Sequence, residues 1–313
     1  MIALWILLGL LAVLLAVGLY LLKFTFGRRA LPDIYDPEAF AKSQWARYTH
    51  IPESLKWFKA HPPQHWHVIS HDDQVLHGSF FPCENPRGTI IQFHGYRSRY
   101  EVEFSISAPF YQDLGFNLLL IDQRGNSGSQ GKFITFGVKE RLDVLSWVTY
   151  AAMKLGQDHP IYLSGLSMGS TTVCMASDLE FPGNVRGILA DCGFTSPAAI
   201  LEHVIKTVYH LPGKPAVAFL NIFTNLFAGF SLYEWSTTEA LKNARYPVIL
   251  FHGLEDDFVP YTMSRESFTA CTGERSLHEF PNAGHGLSYL EDMPRYQKLL
   301  REFLQEHLPE VES

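Results

Sequence analysis

The pentapeptide Gly165-Leu166-Ser167-Met168-Gly169 constrains this chain more than any other stretch. Before it runs Ile161-Tyr162-Leu163, a short apolar segment of β character. After it runs Ser170-Thr171-Thr172-Val173-Cys174-Met175-Ala176, which reads as the start of a buried helix. A strand that turns at once into a helix strains the serine backbone, and small residues on either side let the two backbones approach. Such a turn raises the serine hydroxyl above a sheet, with the positive end of a helix beneath it. Strand, G-x-S-x-G, helix is the context that makes so short a pattern informative.

Three other loops carry matching chemistry. Thr89-Ile90-Ile91-Gln92-Phe93 reads as a strand ending in His94-Gly95-Tyr96. Pro247-Val248-Ile249-Leu250-Phe251 reads as another, ending in His252-Gly253-Leu254-Glu255-Asp256-Asp257-Phe258-Val259-Pro260. Phe280-Pro281-Asn282-Ala283-Gly284-His285-Gly286 then places a histidine in a glycine-flanked loop. A weak hydroxyl nucleophile needs a base beside it and an acid to orient that base. At this level Asp256 and Asp257 both qualify as the acid, and so does Asp191 at the end of the segment Val185 to Ala190.

Residues 65 to 308 resemble an α/β-hydrolase of the serine aminopeptidase and prolyl-oligopeptidase-like branch. The carriers are the serine pentapeptide and Asp122-Gln123-Arg124-Gly125-Asn126-Ser127-Gly128, similar to a D-x-R-G-x-G-x-S loop. The spacing H-G-x-x-D-x-x-V-P over His252 to Pro260 and the triplet Gly284-His285-Gly286 complete the match. The resemblance implies a nucleophile Ser167, an orienting acid Asp256 and a base His285, in the chain order of that superfamily. It implies backbone N–H groups of Tyr96 and Met168 as the oxyanion hole. His94 and His252 are expected to brace loops, Asp122 and Arg124 to pair locally, and Tyr96 to wall the pocket.

The expected fold is α/β: a mainly parallel sheet with helices on both faces. Strands are predicted at 66–69, 75–81, 89–93, 116–121, 161–164, 185–190, 247–251 and 276–280. A helix is predicted over 138–155, with Leu142, Leu145 and Val148 on its inner face. The interval from 190 to 247 is too long for one crossover. Ser196-Pro197 reads as a helix start, and no charge occurs from Pro215 to Tyr233. Residues 196–240 are therefore expected to form a helical cap, with Phe223 and Phe227 binding substrate from an apolar helix face that also holds Phe219, Ile222, Leu226 and Phe230.

Residues 2–22 carry no charged side chain. As a helix they span a hydrocarbon core, and neither a basic leading region nor a small-residue cleavage pattern suits a secretory signal. A single-pass anchor in the cell membrane is expected, its partner the lipid bilayer. Lys23, Arg28 and Arg29 just beyond it place the enzyme domain in the cytoplasm. Residues 23–64 are expected to form a juxtamembrane arm with short helices near 37–47 and 53–59.

In a chain of 313 residues, 47% hydrophobic content supports a large core, and a net charge of −7 argues against a nucleic-acid partner. The four cysteines are scattered with no C-x-x-C, so no thiolate metal site is indicated. Cys174 and Cys192 sit in apolar segments and read as buried thiols. His65-x-His67 lacks a dinuclear-metal spacing and reads as surface. Neither cofactor nor metal is required. The expected activity is acyl-bond hydrolysis, ranked carboxylesterase before aminopeptidase because the cap segment is uncharged and aromatic. The substrate is then a small molecule or a peptide. A non-catalytic membrane-anchored binding protein is the alternative of another class.

Overall fold

The computed structural model describes residues 1–309. Its first element is α1 (Ile2–Phe26), followed by the short helices α2 (Pro37–Ala41) and α3 (Ile51–Ala60). Strands β1 (Gln64–Ile69), β2 (Val75–Phe81) and β3 (Gly88–Phe93) come next. Helices α4 (Tyr100–Phe104) and α5 (Ser107–Asp113) lead to β4 (Phe116–Asp122), and α6 (Glu140–Leu155) leads to β5 (Pro160–Leu166). After Ser167 come α7 (Met168–Met175), β6 (Asn184–Asp191), α8 (Pro197–Thr207), α9 (Gly213–Phe223) and α10 (Thr237–Leu241). Then follow β7 (Val248–Gly253), α11 (Tyr261–Ala270), β8 (Arg275–Phe280), α12 (Ser288–Glu291) and α13 (Met293–Glu306).

The strands form one sheet in the order β1-β2-β4-β3-β5-β6-β7-β8. Only β2 runs antiparallel to its neighbours; the other pairs are parallel. Parallel strands are covered on both faces and so read as continuous apolar runs. Ile90, Leu118, Leu120, Tyr162 and Phe251 enter one core, while Ile91, Phe93, Leu119, Leu163 and Leu250 enter the other. Adjacent residues alternate between the two layers, as the strand period requires. Every strand predicted from the sequence is present.

The helices depart from expectation where charge is buried. Leu142 and Leu145 of α6 are only partly covered. Its inner face is Val144, Trp147, Val148, Ala151 and Ala152, joined by buried Glu140, Arg141 and Asp143. Those charges are tolerated because each is paired. Asp143 accepts two hydrogen bonds from Arg124, Glu140 accepts from the Thr135 and Gly137 N–H groups, and Arg141 pairs with Asp178. Arg124 also reaches Asp72, so the expected local pairing with Asp122 does not form; Asp122 instead accepts from Gly128 N–H.

The segment between α1 and β1 packs against the sheet. Ile34, Phe40, Trp45, Ile51, Leu55 and Phe58 belong to the same core as one face of the sheet. The helix expected over 37–47 stops at Ala41. Helix α1 extends past residue 22 to Phe26. Gly18, Leu22 and Phe26, spaced by four, form one buried face, while residues 1–17 are all exposed. The chain after α1 is fixed by Ile134 N–H donating to Phe26 O and Arg28 N–H to Lys132 O.

In α9 the buried side chains are Val217, Leu220 and Phe223, with Gly213 buried at its start, not the full stripe expected. The helix relaxes into a π turn over Thr224–Ala228. Ile222, Leu226 and Phe227 are left exposed. This segment has more apolar residues than one helix face can hold, and the surplus faces outward.

Candidate active site

Ser167 sits between β5 and α7 with φ 54° and ψ −115°, the strained turn the sequence implied. Its N–H donates to Asp191 O at 2.9 Å. Both flanking glycines are required by space. A β-carbon at Gly165 would stand 2.2 Å from the Gly169 carbonyl carbon, and one at Gly169 would stand 1.8 Å from Phe93 O. No side chain fits either gap, so strand, turn and helix lock together only with glycine.

His285 Nε2 lies 2.9 Å from Ser167 Oγ, and His285 Nδ1 lies 2.7 Å from Asp256 Oδ2. A carboxylate only accepts, so Nδ1 carries the proton and Nε2 is left to accept from the serine hydroxyl. Asp256 is buried at the end of β7, and its Oδ1 accepts from the N–H groups of Phe258 and Val259 at 3.1 and 2.8 Å. Burial alone would raise this carboxyl, but hydrogen bonds from His252 and His285 outweigh it and hold it well below the usual carboxylate range. Asp256 is thus charged at neutral pH and favours one tautomer of His285.

The other two acids line the same cavity, but His285 Nδ1 is held by Asp256. Asp257 is exposed, with its carbonyl facing His203. Asp191 is buried, raised by that burial, and engaged by Ser288 and Tyr296. His252 bridges Ser264 Oγ and Val259 O and lies 3.2 Å from Asp256. His94 accepts from Gln123 N–H through Nε2, and its Nδ1 lies 2.7 Å from Gly95 O. Both therefore brace loops.

Tyr96 follows β3, and Met168, next to Ser167 in the chain, opens α7. Among the described residues, neither backbone N–H has a partner within the protein. The Tyr96 hydroxyl points away, donating to Thr25 O at 2.5 Å at the end of α1. Cys192, Asp256 and His285 bring potential ligand atoms within 4.8 Å of one another. The Cys192 thiol is pushed well up by burial, and the other two groups already hold each other, so this set suits a hydrogen-bond chain better than a cation.

A cavity of about 800 Å³ opens on Ser167. Trp45, Tyr48 and Ile51 wall it from the segment after α1, with Leu166, Phe258 and Leu287 nearer the serine. Tyr96 lines it, as expected. No residue of 196–240 does. Phe223 is instead packed on Gly18 of α1, and Phe227 is exposed. Neither ring, expected from the sequence to bind substrate, lines this cavity, because docking α1 takes the apolar side of that helix pair. Sequence reading missed the wall at 44–51, which carries no motif, and Glu103, which also lines the cavity.

Residues 102–310 match the model of the prolyl oligopeptidase family. The chain belongs to that family. It is 27% identical to the protein YqkD of Bacillus subtilis over 71% of this chain and 72% of that one. It is 24% identical to the rat lysophosphatidylserine lipase ABHD12 over 80% of this chain and 63% of the lipase. In three dimensions it resembles the Pyrococcus furiosus esterase Pf2001, with a TM-score of 0.64 and 20% identity over 82% of this chain and 94% of the esterase. The fold is that of an α/β-hydrolase, and the chain is a hydrolytic enzyme of the esterase and peptidase-like branch.

Proposed function

We propose that this chain is a membrane-anchored serine hydrolase that cleaves carboxylic esters through an acyl-enzyme. The observation that carries the proposal is His285, bridging Ser167 Oγ and Asp256 within hydrogen-bond distance on both sides. Ser167 attacks the carbonyl while His285 takes its proton, then returns it to the leaving alcohol; Asp256 stabilises the imidazolium. The unused N–H groups of Tyr96 and Met168 receive the oxyanion. Water repeats the cycle on the acyl-enzyme and restores Ser167. Apolar side chains around the serine suit an acyl chain, and one relative is named a lipase. A fluorophosphonate probe should label the protein and not Ser167→Ala; an unlabelled wild type would refute the assignment.

The anchor reading draws on α1. Nearly all its apolar side chains from Ile2 to Val17 are exposed, an area far beyond what water tolerates on a monomer. The helix is long enough to cross a bilayer. Near its docked end, Ile222, Leu226 and Phe227 are also exposed, so this surface would bed into the membrane beside the anchor. Carbonate extraction of membranes tests this: release of the protein would remove the anchor reading.

A further inference from the structure

The cavity that reaches Ser167 is lined by a carboxylate with no cation partner and by a buried amide oxygen with no hydrogen-bond partner. Glu103, on α4, lines it, and its Oε2 accepts from Gly95 N–H at 2.7 Å. A β-carbon at Gly95 would stand 2.8 Å from Glu103 Oε1 and 3.4 Å from Ser167 Cβ, so one small gap separates carboxylate from nucleophile. No cation bears on this acid, only the Gly95 N–H and the Ser98 hydroxyl beside it. Gln92, on β3 and 1% exposed, lines the same cavity, and its Oε1 has no hydrogen-bond partner. A buried acceptor left unpaired destabilises the fold unless water or a ligand brings the donor.

We propose that Glu103 and Gln92 form a subsite for the protonated amine of an amine-bearing ester. This rests on Ser167 acting as the nucleophile. An ammonium brings N–H donors for Gln92 Oε1 and a positive charge for Glu103, which has no cation partner of its own. A hydroxyl would satisfy Gln92 but leave the acid uncompensated. Asp191 faces the same space with its oxygens already engaged, and exposed Asp257 lines it beside Phe258. The basic groups on the cavity wall are Arg47 and His50, from the segment after α1, and His285, which is committed to Ser167 and Asp256. Burial raises the Glu103 carboxyl to about 7. An alkylamine stays protonated through neutrality, so the charged pair forms as pH rises from 6 to 8.

Two isosteric ester pairs test the subsite and tell which side of the scissile bond carries the amine. The acyl-side pair is 2-naphthyl 3-aminopropanoate against 2-naphthyl butanoate. The alcohol-side pair is 3-(dimethylamino)propyl acetate against 4-methylpentyl acetate. In one pair, the amine-to-hydrocarbon ratio of kcat/KM should rise with pH and fall about tenfold or more in Glu103→Gln. A ratio unmoved by Glu103→Gln in both pairs overturns the proposal. Calorimetry on Ser167→Ala with butylammonium and butanol separates the subsite from catalysis. Butylammonium should bind the more tightly, and adding Glu103→Gln should remove the difference. If no ester is cleaved yet that difference holds, the subsite stands and the nucleophile assignment falls; equal binding of the two probes overturns the subsite itself.

Discussion

Phe223 fills the place where a Gly18 side chain would be. A β-carbon at Gly18 would stand 1.9 Å from Phe223 Cζ, so the tip of the ring touches the α1 backbone. Gly18→Leu should then lever α1 off α9, at a cost of about 1–3 kcal/mol for overpacking. A lower Tm in detergent is the expected result. Gly9→Leu is the control, because nothing lies within 4 Å of a β-carbon there. Equal Tm values for both variants would mean that the helix is not docked.

Ser167→Ala should lower kcat by about 10³-fold or more, and His285→Ala by as much, since nucleophile and base act as one unit. The double variant should lose little beyond either single one. Losses that multiply would show two independent contributions and break the assignment.

Asp256→Asn should be far more damaging than Asp257→Asn, because only Asp256 reaches His285. Asparagine there favours the wrong imidazole tautomer, for a loss of about 10⁴-fold in kcat. The lowered carboxyl also has a stability signature. Such a group stabilises the fold above the ordinary carboxylate pKa, and that contribution fades as pH falls toward its folded value. Asp256→Asn should therefore flatten the loss of Tm in acid below about pH 4. A dead Asp191→Asn beside an active Asp256→Asn would move the acid to β6.

The strands and the triad loops were legible because each is a local pattern: an apolar run bounded by glycine or proline, or a motif with fixed spacing. Ser167, Asp256 and His285 announce themselves in this way, and the structure brings them together. The cavity wall does not. Trp45 and Ile51 reach it through packing between distant segments, and Glu103 sits on a five-residue helix too short for any periodicity. Leu142 and Leu145 misled because Asp143 and Arg124, nineteen positions apart, carry charge into the core together. Phe223 and Phe227 lie outside the cavity wall, a placement the sequence could not give because an apolar helix looks the same whether it covers a substrate or another helix.

That difference is measurable. Trp45→Ala should raise KM for dodecanoyl esters more than for acetyl esters, since a lost apolar contact in the cavity costs about 1–3 kcal/mol. Phe227→Ala should leave the chain-length profile of the detergent-solubilised enzyme alone, because that ring is outside the cavity. The reverse pattern would restore the cap as the acyl site.

The enzyme domain should lie on the cytoplasmic side. Lys23, Arg28 and Arg29 cluster at the end of α1, and positive charges beside a span are retained in the cytoplasm. Folding adds Arg97 to this cluster, donating to Phe24 O at 2.7 Å and Gly27 O at 3.0 Å and so capping the helix where its dipole is negative. Three of the four cysteines are buried and all are unpaired, which suits a reducing compartment. Met153, 73% exposed on α6, is a clean reporter. With Cys83→Ser to remove the partly exposed native thiol, Met153→Cys in intact cells should resist a membrane-impermeant maleimide and react after lysis. Labelling without lysis would put the domain on the opposite face.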